Sequence, residues 1–114
     1  MTLAAVVGAC ASSPDAAPAT TVSLERGGDV YAAKCAQCHG LDLRGTERGP
    51  SHLSGIYAPA HHSDESFRRA VRQGSPQHHG RFGAMPPIDG VSDGDLEAVI
   101  AYVRAQQRER GFSD

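Results

Sequence analysis

The residues best able to do chemistry stand together as Cys35-Ala36-Gln37-Cys38-His39. Two thiols three residues apart, followed by an imidazole, admit three chemistries. A dithiol redox pair wants a βαβ setting, and no strand alternation surrounds this one. A structural zinc site wants four closed nitrogen or sulfur ligands. Here there are three, and the sequence holds no second C-x-x-C or H-x-x-x-H pair. The third chemistry is the C-x-x-C-H attachment of c-type haem. On a helix, Cys35 and Cys38 share a face and can form thioethers with the two vinyl groups of one porphyrin. His39 is then set to bind the iron from the proximal side. The pattern predicts one covalent haem c, with Cys35, Cys38 and His39 in its site.

Three helices are predicted to carry that site. Leu24, Gly27, Gly28, Tyr31 and Cys35 recur at helical spacing. Ser23 is the expected cap of this helix, with Glu25 in its first turn. Gly27 and Gly28 are poor helix formers, which makes sense where another helix passes very close. A second helix is expected from Ser63 to Gln73, capped by Ser63, burying Phe67, Ala70 and Val71, and stopped by Gly74. Ser92-Asp93-Gly94-Asp95 resembles a capping box that opens a third. There Leu96, Val99, Ile100 and Val103 form an i, i+3, i+4, i+7 stripe with Tyr102 beside it, and the helix frays between Gln107 and Gly111.

Residues 40–62 and 74–91 join these helices and are rich in Gly, Pro and His. Loops of that length belong in a small domain only if they wrap something. The chain has 114 residues, no Trp and 39% hydrophobic residues, a thin core for one domain. A large buried apolar cofactor would complete it. The formal net charge is −2, from 11 basic and 13 acidic residues. That balance excludes the clustered basic surface of a nucleic-acid binder. It leaves no strong electrostatic clue to a docking partner.

From Ser23 to about Arg108 the chain resembles a class I cytochrome c domain of the short bacterial monohaem kind. Gly27, Tyr31 and Cys35 have that family's spacing along its N-terminal helix. Leu96, Val99 and Tyr102 can form the facing surface of the C-terminal helix, which the family crosses at the small residue. Gly49-Pro50 and Leu53-Ser54-Gly55 match a Gly-Pro and Leu-x-Gly pair that follows the haem motif. The resemblance implies an all-α, cytochrome c-like fold, with three main helices and long loops around one haem. It implies that the Pro50 carbonyl orients the His39 imidazole.

Gly83-Ala84-Met85-Pro86-Pro87 is similar to the distal ligand loop of these cytochromes. Met85 is thus implied as the sixth ligand, a soft thioether that favours reduced iron and raises the potential. It is expected on an otherwise unpaired loop set by its prolines. Met85 should face His39 across an apolar slot lined by Leu53, Phe67, Val71 and Ile88. The rivals are His52, His61, His62, His78 and His79, each in a loop and each able in principle to ligate iron or a surface metal. Within the pairs 61–62 and 78–79 the side chains are expected to diverge into solvent. His52, Tyr57 and Arg81 carry donors for haem propionates.

Leu3 to Ala9 is apolar, too short to span a bilayer, and runs into Cys10 through Val7-Gly8-Ala9. This looks like a bacterial lipobox without its basic n-region, so 1–9 reads as a partial signal peptide and Cys10 as the lipidated residue. Residues 10–22 read as a lipid-anchored or disordered linker, 23–110 as the cytochrome domain and 111–114 as a tail.

The function implied is a periplasmic single-electron carrier with His39 and Met85 as axial ligands, not an enzyme. Its expected partners are redox proteins, either membrane respiratory complexes or periplasmic dehydrogenases. It is tied to the membrane through Cys10 and binds no nucleic acid. The alternatives are a haem enzyme or gas-binding module with an open distal site, or a cytochrome subunit of a larger respiratory or dehydrogenase complex.

Overall fold

The computed structural model describes residues 21–112, together with Ala4 and Gly8. Cys10 and most of the linker lie outside the described residues. Among the described residues, four α-helices follow one another: α1 (Thr21–Lys34), α2 (Ala36–His39), α3 (Asp64–Gln73) and α4 (Asp93–Glu109), with a 3₁₀ turn at Gly55–Tyr57. No strand occurs among the described residues, and the fold is all-α. No helix among them is long and apolar enough to cross a membrane.

The three helices expected from periodicity are all present. α1 starts earlier than expected, at Thr21, so Ser23 is inside its first turn rather than capping it. The two residues before Ser23 continue the helix instead of the linker. The caps of α3 and α4 are as anticipated. Ser63 accepts from the Ser66 amide and Ser92 from the Asp95 amide, while Gly74 closes α3 at φ +77°. The fourth helix, α2, carries the cysteine–histidine motif itself.

The core is the crossing of α1 and α4. Val30 and Tyr31 pack with Leu96, Val99, Ile100 and Val103, all buried. Gly27 makes the crossing possible. A Cβ there would fall 2.1 Å from the Ala98 carbonyl oxygen and 2.7 Å from the Tyr102 Cβ. No side chain fits, so the helices touch backbone to backbone, as the two glycines anticipated. Val71 from α3 and Leu43 from the first long loop complete the cluster. Leu43 holds φ +64°, costly for a branched side chain. Its burial and the hydrogen bonds to its carbonyl from the His52 amide and the Ser51 hydroxyl hold it there.

Arg104 and Gln107 hang the 52–62 segment on α4. Arg104 is 6% exposed and donates from Nε to Asp64, and from Nη1 to the Tyr57 carbonyl and Gln107 Oε1. Its Nη2 donates to the His62 carbonyl. Gln107 is fully buried, and its Nε2 donates to the carbonyls of His52 and Tyr57. An irregular segment has unpaired backbone acceptors, and buried ones must find donors. Here two side chains supply them.

Candidate haem site

α2 follows α1 across a bend at Cys35, whose amide still bonds to the Tyr31 carbonyl at 2.8 Å. Gly40, at φ +83°, ends it. The Tyr31 hydroxyl donates to the Gly40 carbonyl at 2.7 Å, fixing the end of α2 against α1. Two more donors close the last turn: the Gly45 amide bonds to the His39 carbonyl, and the Thr46 hydroxyl to that of Cys38. The carbonyls left over at a helix end are thus satisfied by the following loop. The tyrosine was legible from its spacing before Cys35; its hydroxyl bond was not.

Neither Cys35 nor Cys38 is in a disulfide. Burial, with Cys38 adding, pushes the Cys35 thiol up to about 11. A thiol that stays protonated at neutral pH is a poor redox nucleophile. His39 is 9% exposed, and its Nδ1–H donates to the Pro50 carbonyl at 2.9 Å. Burial lowers its pKa, with the Pro50 bond working against that shift. The imidazole is therefore neutral, with its Nε2 lone pair free. Gly49 lets the Pro50 carbonyl come so near, since a Cβ there would lie 2.8 Å from the Cys38 oxygen and 3.2 Å from His39 Nδ1.

A cavity of about 400 Å³ opens beside these groups. Cys35, His39, Pro50, Phe67, Val71 and Met85 all line it. Leu53 and Ile88, expected in the lining, instead pack on the core cluster behind it. Ile88 is held there by its amide bond to the Val71 carbonyl. Cys38, half-buried on α2, also stands outside the lining.

The segment carrying Met85 is not an unpaired loop. Met85 and Ser75 exchange both backbone hydrogen bonds, at 2.8 and 2.9 Å, in an isolated antiparallel bridge. Gly74 permits the approach, because a Cβ there would meet the Met85 oxygen at 2.7 Å. The glycine read as a helix stop also seats the methionine segment.

His52, a candidate propionate donor and a rival ligand, lines the cavity and is buried. It is 7% exposed, and its ring stacks on that of His39 with centroids 4.1 Å apart and planes 23° apart. Its Nδ1 is buried without a hydrogen-bond partner. Burial holds its pKa well below the usual histidine range, helped by His39 and Arg104, so the ring is neutral. Tyr57 lines the cavity, whereas Arg81 is exposed and outside it. The pair 78–79 does not simply diverge. The rings of His78 and His79 lie 4.4 Å apart, in an irregular stretch where side chains need not alternate.

A family model described as cytochrome C oxidase, cbb3-type, subunit III matches residues 22–103. The chain belongs to this family of c-type cytochromes. No curated protein matches it at a significant level. A cytochrome c domain implies haem c and haem-based electron transfer. The donor set fits that group: two free thiols three residues apart, a neutral imidazole with one nitrogen held by a carbonyl, and a thioether on the same cavity as Cys35 and His39.

Proposed function

We propose that this cytochrome is a periplasmic single-electron carrier with one haem c, bonded through Cys35 and Cys38 and ligated by His39 and Met85. The observation that carries the reading is the meeting of Cys35, His39 and Met85 on one cavity, with His39 already held in the ligating tautomer by Pro50. Haem c bound there supplies a one-electron ferric–ferrous couple, taking the electron from one partner protein and passing it to another. His39 offers its Nε2 lone pair, and the Pro50 carbonyl raises the basicity of the ring by accepting from Nδ1. Met85 offers a soft thioether that favours the reduced state. Leu53 and Ile88 act one layer back, by holding the walls of the cavity. With His39 and Met85 both holding the iron, no open place would be left for substrate, which distinguishes this reading from a haem enzyme or gas binder.

The domain is 23–110, carried outside the cytoplasm by a signal ending at Ala9 and anchored by lipid on Cys10. The family description favours a second setting for the same chemistry, as a cytochrome subunit of a respiratory complex. Expression with a cytochrome c maturation system tests the core of the proposal. Mass spectrometry should show one haem per chain, and the reduced protein should resist carbon monoxide. An apoprotein that binds zinc and no haem, or a reduced form that binds carbon monoxide freely, contradicts it. Detergent partitioning lost on Cys10→Ser tests the anchor. Co-purification from the native membrane separates a subunit from a free shuttle.

A further inference from the structure

Three imidazoles outside the proposed haem ligands come together at the rim of the cavity. His62 ends the segment that Arg104 and Gln107 tie to α4, and His78 and His79 lie between α3 and Met85. Ring centroids are 5.8 Å apart for His62 and His78, 5.5 Å for His62 and His79, and 4.4 Å for His78 and His79. One ring nitrogen from each lies within 4.8 Å of the other two. His78 and His79 are exposed and His62 half-exposed, so an ion could reach them from solvent.

Two of the three rings are already held as metal-binding histidines usually are. The His62 Nδ1–H donates to the Ile56 carbonyl at 2.5 Å, and the His78 Nδ1–H to the Pro76 carbonyl at 2.9 Å. A ligating histidine commonly gives its second ring N–H to a backbone carbonyl, which fixes the tautomer and raises basicity. In both rings this leaves Nε2 as the nitrogen with a free lone pair. Neither carbonyl bond is needed to satisfy an exposed imidazole, since water would serve.

We infer that His62, His78 and His79 form a three-nitrogen site for a borderline divalent transition metal, separate from the haem iron. Imidazole-only donors suit zinc and copper and do not suit magnesium or calcium. Three protein ligands leave the fourth tetrahedral position to water or a partner's side chain. At metal–nitrogen distances of about 2.0–2.1 Å, the nitrogens must close to roughly 3.4 Å of one another. That is a movement on the order of 1 Å, available to exposed side chains by rotation alone. The ion would join the 55–62 segment, fixed to α4, to the 75–85 segment that ends in Met85. It would thus staple the two sides of the cavity mouth.

The test is titration of zinc into the full-chain haem-loaded protein, followed by calorimetry and by metal analysis after dialysis. One zinc per chain should bind, and magnesium should not. Losing an outer partner of a metal site costs about 10–100-fold in affinity, so removing a ligand should cost at least about tenfold. His62→Ala, His78→Ala and His79→Ala should each do so, while His61→Ala, one residue away, should leave the affinity unchanged. The visible spectrum of each variant reports whether the haem environment is intact. Three results overturn the inference. One is no zinc binding by the wild type. Another is zinc binding that survives all three substitutions, as binding at Cys10 would. The third is a histidine variant that changes the axial ligation of the haem, which would assign that ring to iron.

Discussion

The α1–α4 crossing and the cavity mouth are built on opposite principles. At the crossing, regular helices meet over aliphatic side chains, and one absent Cβ at Gly27 decides the distance between them. At the mouth, irregular segments meet over imidazoles, and their backbone is held by single side chains such as Arg104 and Gln107. Stability in the first region is spread over contacts that need no cofactor. In the second it rests on a few hydrogen bonds around a space that only a large ligand fills.

Substitutions should separate the two regions. Gly27→Leu carries the largest expected effect, because even its Cβ collides with the Ala98 carbonyl. Overpacking of this kind costs about 3 kcal/mol, read by denaturant unfolding of the haem-loaded protein. A loss under about 1 kcal/mol would mean the helices do not cross there. Arg104→Met comes next. It strips the donor from the His62 carbonyl, leaves the Tyr57 carbonyl with Gln107 alone, and leaves Asp64 without its partner. The expected cost is about 2 kcal/mol, with faster amide exchange confined to residues 52–62. Exchange that rises equally along α1 would show that the mouth is not a separate unit.

Gly49→Ala should cost less, about 1 kcal/mol, yet alter the haem more. Its methyl must push the Pro50 carbonyl off His39. A less basic imidazole favours ferric iron less, so the midpoint potential should rise. An unchanged potential would remove Pro50 from its role.

The smallest effect is expected from Glu97→Gln on α4. Arg68 on α3 binds that carboxylate through Nε at 2.6 Å and Nη2 at 2.9 Å, which lowers its pKa below the ordinary 4.5. A depressed carboxylate stabilises the fold above its unfolded pKa, and the contribution is lost as pH falls from about 4.5 through the folded value. The pair is largely exposed, so the substitution should cost about 0.3 kcal/mol at pH 7 and nothing once both states are protonated. Urea midpoints of the two proteins should converge as pH falls.

The crossing was readable from sequence because helical period and glycine placement are local signals. Gly27 with Tyr31 and the 96–103 stripe gave both partners and the register. The motif at Cys35 to His39 was equally plain, since its chemistry is written in adjacent residues. The mouth was less so. Nothing in the spacing of Arg104 or Gln107 distinguishes them from solvated residues at the end of a helix, because their function is to satisfy carbonyls 42 to 55 residues away. The burial of His52 was hidden for a related reason. A polar residue in a loop reads as exposed, and only the fold shows that the segment turns inward beneath His39. The Ser75–Met85 bridge is two hydrogen bonds long, too short to leave an alternation in the sequence.

The central claim is that His39 and Met85 ligate the same iron, and Met85→Ala tests it most directly. Visible and near-infrared spectra and a redox titration of the variant are compared with those of the wild type. Haem should remain attached, since Cys35 and Cys38 hold it. The methionine–iron absorption band should vanish, the potential should fall because the ligand favouring ferrous iron is gone, and carbon monoxide should bind the reduced form. A spectrum and potential identical to the wild type would show that Met85 does not ligate the iron.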